Sequence, residues 1–146
     1  MIIDVHAHYT QAPPQLDAYR GRQVGNIARP EKGGIKVTDE QIEKSLQVNF
    51  KQMADKGIDK LVFSPRASGM GHDFGNELIS LYWTQVNNDL IARACKMFPD
   101  KLVPCCQLPQ TPGASPKGRV VEELERCVLE LGFVACNINP DVSGGV

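Results

Sequence analysis

The sequence predicts an α/β fold in which parallel strands alternate with helices. Short apolar segments alternate along the chain with longer segments whose apolar residues recur at helical spacing. Stretches containing proline and glycine separate them, and polar residues follow each apolar segment. The resulting order, β-α-β-α-β-α-β, favours a parallel sheet because parallel strands need crossover connections of helical length.

Four strands are predicted, over residues 2–6, 58–64, 102–108 and 133–138. All four are short and apolar, which is typical of strands covered on both faces of a sheet. Pro104 weakens the third prediction, because proline lacks the N–H that a strand ladder requires and could sit only near the start of this strand.

The first half of the chain contains a long polar excursion and one well-marked helix. Residues 9–37 include three prolines and a pair of glycines, so they are predicted to be mostly loop, with a short helix near residues 15–23. Thr38 and Gln41 have the spacing of a capping box, and Gly57 supplies a C-terminal stop. A helix is therefore predicted between Thr38 and Gly57.

Two further helices are predicted in the second half. One covers residues 75–97, where apolar residues form one face and Pro99 follows the end. The other runs from Ser115-Pro116, a capping residue before a proline, to Gly132. Their apolar stripes are interpreted as packing surfaces for the sheet.

The composition is that of a single soluble domain of 146 residues, 42% hydrophobic and 23% charged. A formal net charge of −1 provides no basic surplus to neutralise phosphates, so nucleic acid and anionic membranes are not expected partners. No apolar run approaches the roughly 20 residues that cross a bilayer, and the first residues do not resemble a signal peptide. Five cysteines, mostly in apolar segments, are expected to be buried thiols of a cytoplasmic protein.

Polar side chains stand at the C-terminal end of every predicted strand, where parallel α/β folds collect their reactive groups. The four ends carry His6 and His8; Ser64, Arg66 and Ser68; Gln107 and Gln110; and Asn137, Asn139 and Asp141. This agreement across four segments predicts a functional site at that edge of the sheet.

His6 and His8 are the candidate metal ligands. On an extended strand, residues two apart leave the same face with Cα atoms roughly 6.5 Å apart, so their imidazoles can converge on one divalent ion. An isolated pair of this kind is more often structural, with one ring in the core, but the preceding apolar strand and the β-α alternation favour a metal. Asp4 is expected on the same face, where it could orient an imidazole or cap a turn.

A complete metal site usually needs a third protein ligand. His72, the only other histidine, lies in a glycine-rich stretch, and an exposed or substrate-facing position is favoured over a ligand role. Arg66 is suited to a bidentate grip on a carboxylate, although a surface role is equally open. Asn137 and Asn139 offer amide donors and acceptors to a ligand, or to structural hydrogen bonds.

The chain ends in loop-forming residues after the fourth strand. Four parallel strands could form a small open domain, or about half of an eight-stranded (β/α)8 barrel. The abrupt end favours an incomplete barrel. Residues 1–146 are predicted to form one domain, the N-terminal part of that barrel.

Several motifs resemble the amidohydrolase superfamily and, more narrowly, the 4-oxalomesaconate hydratases. They are IIDVHAHY at the start, FSPRAS at 63–68, LPQ-P at 108–112, ELERCVLELGFVACNINPD at 123–141 and the closing SGG. The opening H-x-H is shared across the superfamily, whereas SPRAS with N-x-NPD is more specific. The resemblance covers essentially the whole chain but only about the first two-fifths of such a hydratase. Ala7, where glycine is more usual, is a mild departure.

The resemblance implies a TIM-barrel-like metal-dependent hydrolase fold, with this chain forming about the first four strands. His6 and His8 match the first two ligands of a zinc ion (or another divalent metal), and the remaining ligands and acid-base groups would lie in later strands. The implied reaction is the addition of water to 4-oxalomesaconate, a small polycarboxylate, in protocatechuate or gallate 4,5-cleavage. Arg66 would hold a carboxylate, and Asn137 or Asn139 would orient substrate oxygens.

Other functions remain open at this point. A metal-dependent decarboxylase or hydrolase of the same superfamily would share the H-x-H start and the barrel. A non-catalytic α/β module with structural histidines is the alternative if the chain is naturally this short. An assembly of identical subunits is also left open.

Overall fold

A computed structural model describes residues 1–66, 74–112 and 116–139. The strands β1 (Ile3–His8), β2 (Lys60–Ser64), β3 (Leu102–Gln107) and β4 (Ala135–Asn137) form one sheet in chain order. Every neighbouring pair is parallel. The predicted α/β class and strand order are therefore confirmed, although β1 extends further than predicted and β4 is shorter.

Within the described residues, four helices connect successive strands. They are α1 (Pro14–Gly25), α2 (Asp39–Lys56), α3 (Glu77–Met97) and α4 (Val121–Glu125), the last flanked by wider helical turns over Pro116–Val120 and Arg126–Glu130. None of the helices in the described part of the chain is both long and apolar enough to span a bilayer.

The ends of α2 match the sequence prediction. The Thr38 side chain accepts a hydrogen bond from the Gln41 N–H, and the Gln41 side chain accepts one from the Thr38 N–H, so the capping box is complete. Gly57 ends the helix with φ of +66°, a left-handed conformation that glycine adopts without steric cost. Arg93 of α3 holds this helix start by donating to the Val37 carbonyl and to Asp39.

The excursion over residues 9–37 contains more structure than the sequence predicts. Helix α1 is twelve residues long and packs on α3, with the Tyr19 ring stacked against Trp83 at a centroid distance of 6.4 Å. The buried Gln23 amide donates to the Tyr19 hydroxyl and the Glu31 carbonyl, and its oxygen accepts from the Glu31 N–H. These contacts hold the returning loop against the helix.

The last helical segment is less regular than predicted. Gly118 has φ of −106° and ψ of −132°, outside the helical region, and interrupts the segment that begins at Pro116. The expected continuous helix from Pro116 is therefore wrong, because glycine permits a conformation that breaks the turn. The capping residue Ser115 lies outside the described residues. Gly132 follows with φ of +75°, at the predicted stop.

The core lies between the helices and one face of the sheet. Phe63 of β2 and Cys106 of β3 are fully buried there. They are joined by Ile42 of α2, Ile79 of α3 and Cys127 of the helical turn that follows α4. Because side chains alternate along a strand, Ser64 and Cys105 belong to the opposite face. His8 and Asn137, which pair with Ser64 and Gln107, lie on that face.

The two outer strands are not covered on both faces, contrary to the sequence prediction. Val5 of β1 is 75% exposed, and Val134 and Ile138, on either side of β4, are 72% and 60% exposed. Cys136 is also exposed, whereas the other four cysteines are buried free thiols. These strands are the first and last of the sheet, so each lacks a neighbour on one side among the described residues.

Candidate functional site

A β-bulge in the first strand shapes the histidine pair. Asp4 pairs with Leu61 and Ala7 with Phe63, so three steps along β1 match only two along β2. A bulge of this kind inserts one extra residue and redirects the side chains beside it. Asp4 consequently shares a face with Leu61, whereas His8 pairs with Ser64 on the opposite face. The expectation that Asp4 lies on the same face as the histidine pair is therefore wrong for His8.

Asp4 acts on the backbone of the bulge. Its Oδ1 accepts a hydrogen bond of 3.0 Å from the His6 N–H, the local capping arrangement typical of aspartate. Of the two roles left open by the sequence, this contact supports the turn-capping one.

The two imidazoles converge through their Nε2 atoms, which lie 3.0 Å apart. The rings meet edge to face, with centroids 4.6 Å apart and planes at 87°. Both side chains line a recess of about 230 Å³ beside α2. The sequence-predicted pair is thus brought together, with the Nε2 atoms of the two rings facing each other.

His8 is held by the end of the neighbouring strand. Its Nδ1 lies 2.7 Å from the Ser64 hydroxyl and 3.2 Å from the Pro65 carbonyl oxygen. A carbonyl oxygen only accepts, so the contact with Pro65 favours the tautomer that carries its proton on Nδ1 and a lone pair on Nε2. Metal-binding histidines commonly donate their second ring N–H to such a partner.

The spacing of the two Nε2 atoms fits a shared divalent ion. Two nitrogens that each lie 2.0–2.1 Å from one ion stand about 3.0 Å apart at an angle near 90°, and about 3.4 Å apart at the tetrahedral angle. The observed 3.0 Å agrees with the first value and lies close to the second. Among the residues that the structure describes, no group of three or more histidine, cysteine or acidic side chains is positioned to hold a metal. The pair therefore provides part of a coordination sphere.

Strands β3 and β4 carry further polar groups at their C-terminal ends, as β1 and β2 do. Gln107 pairs with Asn137, which is half-buried at the end of β4. Beyond the strands, the Gln110 amide donates to the Asn139 carbonyl at 3.1 Å, and its oxygen accepts from the Asn139 N–H at 2.8 Å. Gln110 thus fixes the Asn139 backbone. The two asparagines stand at the opposite edge of the sheet from the histidines.

The remaining predicted site residues lie near the end of β2. Arg66 is exposed and follows Ser64 by two residues. His72, Ser68 and Asp141 fall outside the described residues, so their predicted positions stay predictions.

The neighbouring thiol and phenol remain protonated near neutral pH. Cys105 follows Pro104, the partner of Phe63, and so adjoins Ser64 on the site face. Burial raises the pKa of Cys105 to about 11, with smaller contributions from Cys106 and Cys136. Burial also raises the pKa of Tyr9, directly after His8, against the opposing effect of its hydrogen bond to Ser45. Neither group therefore supplies an anion beside the histidines.

Comparison with known proteins defines the family. The sequence profile of the amidohydrolase family matches residues 3–146, almost the whole chain. The chain belongs to the amidohydrolase family. The predicted resemblance is thus confirmed at this level.

Two similar amidohydrolase-family proteins are hydratases by name. The 2-keto-4-carboxy-3-hexenedioate hydratase of Sphingobium sp. strain SYK-6 is 39% identical over 99% of this chain. The structure of 4-oxalomesaconate hydratase from Rhodopseudomonas palustris is 42% identical, with a TM-score of 0.87 over 99% of this chain. The chain spans 43% of the length of each relative.

A more distant structure shares the fold. A 5-carboxyvanillate decarboxylase from Novosphingobium aromaticivorans, crystallised with bound manganese, is 18% identical with a TM-score of 0.65 over 99% of this chain. The described sheet therefore corresponds to the first part of the amidohydrolase barrel.

Ser64 is the site residue whose role the sequence analysis missed. It was recognised only as one polar residue at a strand end. Its contact with His8 depends on the register between β1 and β2, which the bulge sets and which residue alternation alone does not predict.

Proposed function

We propose that this chain forms the N-terminal part of a metal-dependent hydratase that adds water to a small unsaturated polycarboxylate such as 4-oxalomesaconate. The observation that carries the proposal is the likeness to two hydratases at 39% and 42% identity over nearly the whole chain. Both relatives are named for substrates that carry several carboxylates and a keto group. Aromatic-acid degradation by 4,5-cleavage is the proposed context.

The histidine pair is proposed to hold zinc or another divalent ion. The support is the 3.0 Å spacing of the Nε2 atoms and the accepting groups beside His8 Nδ1. Such an ion would supply Lewis-acid polarisation of a substrate oxygen or of water. Its remaining ligands are proposed to come from other parts of the protein.

The other residues are proposed to bind and orient the substrate. Arg66 would pair with a substrate carboxylate, because a guanidinium forms two parallel hydrogen bonds with that group. Asn137 and Asn139 would orient substrate oxygens from the far edge of the sheet, and the anchored Asn139 backbone limits how far that residue can move. No proton-transfer residue is assigned to this chain.

We also propose a cytoplasmic location, supported by the five free cysteines.

The test uses the complete gene product that contains these residues. We expect near-stoichiometric divalent metal by elemental analysis and hydration of 4-oxalomesaconate, observed as loss of substrate absorbance with a gain of one water by mass spectrometry. The His6→Ala/His8→Ala double variant should lose both the metal and the hydration. His72→Ala is the matched control and should keep its metal.

Two results would contradict the proposal. Release of CO2 without water addition would indicate a decarboxylase instead. Purified protein that neither contains nor takes up a divalent ion would exclude the metal-dependent hydratase.

A further inference from the structure

We propose that Ser64 is a positioning residue that holds His8 with its proton on Nδ1 and its Nε2 lone pair directed at a cation. This rests on the proposed metal site and deepens it, because it assigns a share in the selection of the histidine tautomer to the Ser64 side chain, beside that of the Pro65 carbonyl. The role differs from ligation, since Ser64 contacts the ring nitrogen that faces away from His6.

The hydrogen-bond directions around Ser64 support this role. The Ser64 hydroxyl lies 3.2 Å from the Ala7 carbonyl oxygen and 3.3 Å from the Pro65 carbonyl oxygen, and it has one proton to donate to either. Once it donates there, only its lone pairs face His8. The His8 Nδ1, 2.7 Å away, must then be the donor.

The position of Ser64 makes the contact reproducible. Ser64 is only 4% exposed and pairs directly with His8 in the sheet register. A buried hydroxyl without partners is costly, so its three hydrogen-bond partners fix its orientation. The ring of His8 therefore meets a rigid acceptor rather than a freely rotating surface group.

His6 lacks an equivalent partner. Among the described residues, its ring nitrogens have one hydrogen-bonding contact, the Nε2 of His8. With the His8 proton on Nδ1, His6 must donate from Nε2 in the absence of a cation. His8 is thus prepared for a cation, whereas the His6 ring has to move its proton to Nδ1 when one binds.

The first measurement is zinc affinity. In the complete gene product, competition with a chromophoric chelator should show that Ser64→Ala binds Zn2+ about 10 to 100 times more weakly, the usual effect of losing such a partner. Ser45→Ala is the matched control. It removes a hydroxyl that contacts Tyr9, the residue after His8, without touching a histidine nitrogen, and it should bind Zn2+ like the unaltered protein.

The second measurement reads the tautomer directly. Nitrogen-15 NMR of the metal-free protein should show His8 protonated on Nδ1, and Ser64→Ala should shift part of the population to protonation on Nε2. A general loss of packing would not change the tautomer in this direction.

These outcomes separate the two proposals. Unchanged zinc affinity and tautomer in Ser64→Ala, or equal weakening in Ser45→Ala, would overturn the role of Ser64 while leaving the metal site intact. Absence of zinc binding in the unaltered protein would instead overturn the metal site, and the NMR spectra would still decide whether Ser64 sets the tautomer.

Discussion

Asp4 acts on the position of His6 through the backbone, whereas Ser64 contacts the ring of His8. The hydrogen bond from the His6 N–H to Asp4 stabilises the bulge in which His6 lies. A hydrogen bond of this exposed kind contributes about 1 kcal/mol. Its larger effect is expected on geometry, because the bulge sets the register between β1 and β2 and therefore the pairing of His8 with Ser64.

Replacement of Asp4 tests this role. Asp4→Ala should lower the free energy of unfolding by about 1 kcal/mol and weaken Zn2+ binding, because the bulge loses its internal acceptor. Asp4→Asn keeps an oxygen at the same position and should retain both properties. Denaturant unfolding and chelator competition measure the two effects, and equal losses in both variants would show that the charge matters instead of the hydrogen bond.

The sequence predicted the histidine pair but not how it is positioned. Simple alternation predicts Asp4, His6 and His8 on one face. The two imidazoles do converge, whereas Asp4 and His8 lie on opposite faces. A bulge depends on pairing with the neighbouring strand, so its location is not encoded in the spacing of β1 alone. For the same reason, the contact between Ser64 and His8 was not predictable.

Among the elements, helix α3 supplies a side chain, Asn88, that hydrogen-bonds the backbone at the end of β3. Asn88 is fully buried and donates to the Gln107 carbonyl at 2.9 Å, while its oxygen accepts from the Gln107 N–H at the same distance. Strand β2 ends at Ser64, so the Asn88 amide occupies the place where a longer strand would pair. The backbone at the end of β3 is thereby satisfied.

The same amide joins β3 to the last helix. Asn88 also donates to Glu123, which is buried and forms two hydrogen bonds with Arg126. Arg126 extends further to Asp89 at 2.8 Å. Glu123 and then Asp89 raise the pKa of Arg126 above its ordinary value, so the guanidinium stays charged. A buried carboxylate is tolerated here because it is paired and hydrogen-bonded.

Two adjacent asparagines offer a matched test of this network. Asn88→Ala should lower the free energy of unfolding by about 3 kcal/mol, because it leaves two backbone groups and a carboxylate oxygen without their partner. Asn87→Ala removes one hydrogen bond, to Trp83 within the same helix, and should cost about 1 kcal/mol. Denaturant unfolding measures both, and equal losses would mean that Asn88 is not a special connection.

Element prediction succeeded where the signal was local. The ends of α2 follow from Thr38, Gln41 and Gly57, which act within one turn of the chain. The Asn88 network could not be predicted, because Asn88 and Glu123 are 35 residues apart and look like ordinary polar positions in helices. Likewise, the length of α1 depends on the Tyr19 contact with Trp83, which only the tertiary fold supplies.

At the scale of the whole molecule, the sheet has two outer strands with exposed apolar side chains. Val134 precedes β4 and donates its N–H to the Pro104 carbonyl, so it extends the pairing of this last strand with β3. Exposed apolar edge strands promote pairing between molecules. Charged residues at such edges oppose this association.

Solubility of the 146-residue chain tests this property. Val134→Lys should increase the monomeric fraction in size-exclusion chromatography with light scattering, because lysine at a strand edge opposes further pairing. Val48→Lys, at a 39% exposed position on α2 away from the sheet, is the control and should have little effect. An equal gain from both substitutions would attribute the change to net charge alone.

The width of the sheet also bears on the substrate binding proposed above. The histidines stand on β1 and the asparagines on or beyond β4, and the three inter-strand spacings between these strands amount to about 14 Å measured across the strands. Side chains from both edges extend into that span and shorten it. A compact molecule with one acidic group can contact only one edge, whereas a longer one with acidic groups at both ends can contact both. Under the binding roles proposed for these residues, the separation of β1 from β4 is thus the distance that one bound molecule would have to bridge to contact both groups, independently of the identity of any single side chain.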